Sequence, residues 1–146
     1  MFDDFGAYLP ALLVVVGWGL VNHQNNKRET RKEARALIDS VKKQAAEVAR
    51  QAVSYHCETK LDLAYDIKAA LEQIEIELER LRDPCFHSKG PLMDAFVCFS
   101  NAITEGEFET AGAGGLLQTA PQIHRIRRTR NTLFAEVERQ FRAFYL

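Results

Sequence analysis

The sequence predicts an all-α protein: one N-terminal transmembrane helix that continues into a long cytosolic helical stem of coiled-coil type, then a small distal helical bundle. Three observations predict it. Residues 5–21 carry no charge. No Gly or Pro interrupts the chain from Leu20 to Asp83. Two runs of apolar residues within that stretch repeat at alternating intervals of three and four, the spacing of helix-to-helix packing.

The span comes first. Seventeen uncharged residues reach about 25 Å as a helix, slightly less than a hydrocarbon core of about 30 Å. Tyr8 and Trp18 suit the two boundary regions, and Asn22 and His23 suit the interface. A cleaved signal is disfavoured, because Asp3 and Asp4 stand where a basic n-region belongs and "LVNHQNN" offers no small-x-small cleavage site. A buried core helix is disfavoured because "ALLVVV", residues 11–16, is apolar on every face. Pro10 falls near the start of the span, where its missing donor costs least. Ala7 and Ala11 have the small-xxx-small spacing that permits close helix contact.

Charge sets the orientation. Lys27, Arg28, Arg31, Lys32 and Arg35 follow the apolar end, and the other flank has no Lys or Arg. Basic residues close to a span are retained on the cytoplasmic side. Residues 1–4 are therefore expected outside and residues from about 22 onward in the cytosol, in the manner of a bacterial inner-membrane protein. The same five residues can meet anionic lipid headgroups.

The stem is assigned to residues 22–60. Its first seam is Ala34, Ile38, Val41, Ala45, Val48, Ala52 and Tyr55. A second, Ala64, Ile67, Leu71, Ile74, Leu78 and Leu81, is out of phase with it, since continuing the first would bury Thr59, Asp62 and Asp66. Nothing in "HCETK", residues 56–60, is a strong breaker, so one helix is expected to run from Asn22 to Asp83, about 90 Å, ending at Pro84. The first seam is rich in Ala and offers little area. It is expected to need an external partner, a second copy or another helical protein, and this is the sequence argument for self-association.

Residues 61–146 are assigned to the bundle. "PLMDAFVCFSNAIT", from Pro91, reads as a short helix with Leu92, Phe96, Phe99 and Ile103 on one face. Five of the eight glycines fall at 90, 106, 112, 114 and 115, and residues 105–118 read as a flexible loop. They do not form a P-loop, because Leu116 and Leu117 stand where Lys and Ser or Thr belong. Thr119 is expected to cap the last helix, with Pro121 in its first turn. That helix presents Ile123, Ile126, Leu133, Val137, Phe141 and Phe144, with Arg130 interrupting the face. Three apolar faces, from the second seam and these two helices, make a bundle of three.

Few residues suggest chemistry. Nineteen basic and 20 acidic residues nearly cancel, which argues against a globally basic nucleic-acid binder. Arg125, Arg127, Arg128 and Arg130 form a possible partner or nucleic-acid contact. They point in several directions on a helix, and the acidic run Glu72, Glu75, Glu77 and Glu79 is a simpler complement, so nucleic acid is disfavoured. His56, Cys57, Cys85 and His87 are ligand types for zinc, but a straight stem holds the two pairs about 42 Å apart. Three cysteines without a disulfide spacing fit reduced thiols. No metal, cofactor or catalytic set is assigned, and an enzyme is not expected. The expected role is structural: a self-associating anchor that holds a partner at the cytoplasmic membrane face. The alternatives are a small membrane effector of the toxin or immunity type, and nucleic-acid or anionic-lipid binding by the basic clusters.

Overall fold

A computed structural model describes residues 3–58, 62–85, 90–106, 108–109 and 115–145; within these, the side chains of residues 3–12, 15, 16, 19, 20 and 82–85 are outside the described set. The described chain is helical, with no strand. Four helices follow in order: α1 Asp3–Glu58, α2 Leu63–Cys85, α3 Gly90–Thr104 and α4 Pro121–Tyr145. The chain divides into two units, Met1–Arg35 and Ala36–Leu146, and the division falls inside α1.

The expected single rod from Asn22 to Asp83 is corrected. α1 ends at Glu58 and α2 begins at Leu63; residues 59–61 lie outside the described residues. The two helices run antiparallel. Gln44 Nε2 donates to Glu77 Oε1 at 2.6 Å, and these two residues stand equally far from the facing ends of their helices. No breaker residue is needed for this reversal. A straight helix would leave the first seam in water, whereas a hairpin lets both apolar faces enter one core, at about 25 cal/mol for each Å² removed from solvent.

The first seam is accordingly internal. Ala34, Ile38, Val41, Ala45, Val48, Ala52 and Tyr55 are all buried within the single chain, as is Ala49. The premise that so thin a seam must find its partner outside the chain does not hold. Ala45 and Ala52 leave room for close approach, and Ile38, Val41, Val48 and Tyr55 supply the bulk. The second seam is buried at every position, Ala64, Ile67, Leu71, Ile74, Leu78 and Leu81.

α3 and α4 complete the core. α3 buries Leu92, Phe96, Phe99 and Ile103 as expected, together with Ala95 and Ala102. α4 buries Ile123, Ile126, Leu133, Val137 and Phe141, while Phe144 stays exposed. Lys42 reaches Glu138 at 2.8 Å, and the later α1 residue His56 meets the earlier α4 residue Gln122, so α1 and α4 are antiparallel. The bundle therefore has four helices, not three, and its compact unit begins at Ala36, not at 61.

The ends follow local rules. Gly106, just after α3, has φ 83°, the left-handed conformation that closes a helix and that glycine adopts without a Cβ clash. The first turn of α4 opens with the Ala120 carbonyl accepting from His124 N at 3.2 Å. Ala120, not Thr119, thus occupies the capping position, with Pro121 first in the helix as expected. α2 includes Pro84 in its last turn, where a proline removes only one terminal hydrogen bond.

In the first unit, residues 21–33 are exposed throughout, and so are Leu13, Val14 and Trp18. Among the described residues no helix is long and apolar enough to cross a membrane. Most side chains of the apolar stretch 5–21 lie outside the described residues.

Candidate interaction surfaces

The five basic residues after the apolar stretch lie on α1. Lys27, Arg28, Arg31 and Lys32 are exposed and Arg35 is half-buried. Glu29 and Glu33 stand among them, so the segment is a mixed, basic-biased helix surface.

The end of α1 builds a buried polar junction. Tyr55 is fully buried and lies against Phe108, ring centroids 4.9 Å apart. Its hydroxyl accepts from Glu109 N at 2.8 Å. Glu109 has φ 66°, a conformation that non-glycine residues rarely adopt, and its carboxylate meets Lys68 Nζ at 2.5 Å. The His56 ring is also buried. Its Nε2 lies 2.8 Å from the carbonyl oxygen of Ile103, which can only accept, so the proton sits on Nε2. Gln122 Nε2, 3.3 Å from the same nitrogen, donates to the carbonyl of Glu105 at 2.9 Å. The His56 carbonyl accepts from Leu116 N at 2.9 Å. One pair of adjacent residues thus ties α1 to α3 and to both described ends of the glycine-rich loop. The chemistry of this junction is structural: every polar atom named has a partner inside the fold.

His56 is therefore engaged in the core. Cys57 is half-buried, and burial together with the Glu58 carboxylate pushes its thiol above the ordinary range, against a smaller opposing effect of Arg127. The Cys85 side chain and His87 lie outside the described residues. Among the described residues no group of three metal-ligating side chains occurs.

The structure divides the four arginines of "HRIRRTR". Arg125 pairs with Glu105, and Arg127 donates to Gln118 Oε1 at 2.8 Å. Arg130 is half-buried, donates to Asn131 and lies over the Phe134 ring, 5.8 Å from its centroid. Lys42 approaches the same ring at 5.6 Å. Arg128 is exposed. Within the chain, the partners of Arg125 and Arg127 are thus Glu105 and Gln118 and not the acidic run of α2.

That run is itself split. Glu72, Glu75 and Glu79 are exposed, but Glu77 is only 8 % exposed and faces α1. Its Oε1 accepts from Gln44 and, at 3.4 Å, from Gln73. Its Oε2 is buried with no hydrogen-bond partner. A flanking glutamate of the seam is in fact a core residue.

Sequence reasoning missed a surface that its own spacing rule could have found. Arg125 and Arg128 continue at three- and four-residue intervals through Thr132, Ala135, Arg139 and Arg142, and all six are exposed. Reading only to Arg130 hides the line. Arg139 donates to Glu136 at 2.6 Å and, chiefly through that bond, holds the Glu136 carboxyl below its ordinary range. Comparison of the chain with protein-family models, with curated proteins and with solved structures returned no match.

Proposed function

We propose that this chain is a single-pass membrane-anchored helical protein with a structural role, self-associating and holding a partner at the cytoplasmic membrane face. Residues 5–21 are the span, residues 1–4 face outward, and the bundle stands in the cytosol of a bacterial cell. One observation carries this reading: an uncharged stretch of 17 residues, 5–21, has five basic residues, Lys27, Arg28, Arg31, Lys32 and Arg35, close after its end and no Lys or Arg before it. Leu13, Val14, Trp18 and Val21 support it, being 57–73 % exposed on α1. Large apolar side chains exposed in succession on a helix find no burial in water, and a lipid phase supplies it.

The bundle supports the interaction half of the reading. Its core is closed by residues of its own chain, and its described outer surface carries charged helical faces. An anchored, closed bundle with patterned faces suits docking.

Membrane fractionation with alkaline carbonate extraction tests the anchor, and fluorescent reporters fused to each terminus test the orientation. The chain is expected to remain in the membrane pellet, with fluorescence from the C-terminal fusion only. Release into the carbonate supernatant would refute the anchor. Fluorescence only from the N-terminal fusion would reverse the orientation.

A further inference from the structure

We infer that a second copy of this chain docks through two outer helix faces: the arginine line of α4 against an acidic and apolar line of α2. The inference rests on the self-association proposed above and names its surface, since the seam first expected to serve is buried within the chain.

The α4 line is Arg125, Arg128, Thr132, Ala135, Arg139 and Arg142. The α2 line is Tyr65, Ala69, Glu72, Ile76 and Glu79, also exposed at every position and also spaced by threes and fours. Such spacing keeps a stripe on one side of a helix and lets two helices pack along their lengths. The lines match in extent, about 21 Å on α2 and about 25 Å on α4.

Their chemistry is complementary. α2 exposes Asp66, Glu72, Glu75 and Glu79 against Lys68 and Arg80. α4 carries six arginines against Glu136 and Glu138. Small residues, Ala69 on one line and Thr132 and Ala135 on the other, permit close approach. Tyr65 at 79 % and Ile76 at 48 % exposure supply apolar area that gains from being covered, and arginine planes suit the tyrosine face. The arginines that pair within the chain, Arg125 with Glu105 and Arg139 with Glu136, do so at the surface, where such pairs contribute little and exchange readily. A two-fold axis that sets α2 of each copy on α4 of the other would make the contact twice and close the pair as a dimer.

The full chain in mild detergent provides the test, with mass read by sedimentation. One variant carries Arg128→Glu with Arg142→Glu, the other Glu72→Arg with Glu79→Arg. The wild type is expected as a dimer. Each variant alone is expected to dissociate, its Kd raised about tenfold or more by like charges facing one another. An equal mixture of the two is expected to associate, because each reversed face then meets its opposite in the other chain. Unchanged helicity shows that the variants fold; where a double variant does not keep it, Arg128→Glu alone serves in its place. Variants that dimerise like the wild type overturn the assigned surface and leave self-association standing. A monomeric wild type overturns both. A mixture that stays monomeric, or a wild-type assembly that nuclease dissolves, also overturns the proposal, the latter by assigning the arginines to nucleic acid.

Discussion

The two halves of α1 share one helix but hold it by different means. From residue 21 to 33 every described side chain is exposed, and the segment "NHQNNKRETRKE" contains no apolar residue after Val21. From Ile38 to Tyr55 every heptad position is buried. Helix propensity and side-chain pairs of a few tenths of a kcal/mol sustain the first half. A shared core sustains the second. The comparison teaches that a breaker-free sequence specifies that a helix forms, while its apolar pattern specifies which part belongs to a fold.

The largest effect that can break this comparison comes from emptying the second half. Ile38→Ala is expected to lower bundle stability by about 2–5 kcal/mol in urea unfolding. Lys27→Ala or Arg28→Ala is expected to change it by no more than about 0.5 kcal/mol. Equal effects at both places would mean that the first half is packed as well.

The buried pair Gln44 and Glu77 sharpens the hairpin between α1 and α2. Gln44→Leu alone leaves the carboxylate with only the long bond from Gln73, and is expected to cost about 1–3 kcal/mol. Leu at both positions is expected to cost less than either change alone, or to stabilise, because a buried carboxylate with an unsatisfied oxygen is removed. A double-mutant cycle in which the two changes simply add would show that the residues are not coupled.

The fold was legible in the sequence to an uneven degree, and the unevenness has physical causes. Period identified most of the buried side of α2, α3 and α4, because an amphipathic helix has one way to face a core; it missed the buried Glu77, Ala95, Ala102 and Gln140 and included Phe144, which is exposed. It also identified the buried side of α1. It did not identify the partner of that side, since heptad spacing is the same whether the facing helix comes from another chain or from the same chain folded back. The reversal between Glu58 and Leu63 has no Gly or Pro to announce it. In the sequence Glu77 is one of four glutamates that could complement the arginines; only the position of Gln44 across the hairpin reveals that it is buried. The arginine line was legible in its spacing, but it extends beyond the dense "RIRRTR" to Arg139 and Arg142, where intervening Thr132 and Ala135 dilute its charge. The junction of Tyr55, His56 and Gln122 joins residues remote in sequence, and no local pattern points to it.

Removing the hydroxyl at that junction tests a smaller effect. Tyr55→Phe deletes the acceptor of the Glu109 N–H and is expected to cost about 1 kcal/mol, with the loop amides exchanging faster and the core intact. A loss as large as that of Ile38→Ala would show that the hydroxyl holds more than the loop.

The smallest effect is chemical. Maleimide labelling of Cys57 at neutral pH is expected to be slower than that of a cysteine introduced by Gln24→Cys in the exposed half. Because burial and Glu58 raise the Cys57 thiol, its labelling should reach half its maximum at a higher pH. Labelling at equal rates and equal pH dependence would mean that the end of α1 is as open as its middle.

Hydrogen exchange on the full chain in detergent tests the central claim most directly, that α1 passes from an exposed helix into a core between Glu33 and Ile38. Amides from Ile38 to Tyr55 are expected to be protected to the level of global unfolding, and those from Asn22 to Glu33 to exchange far faster by local opening. Uniform protection from Asn22 through Tyr55 would contradict the account, because it would require the whole length of the helix to be packed as one stem.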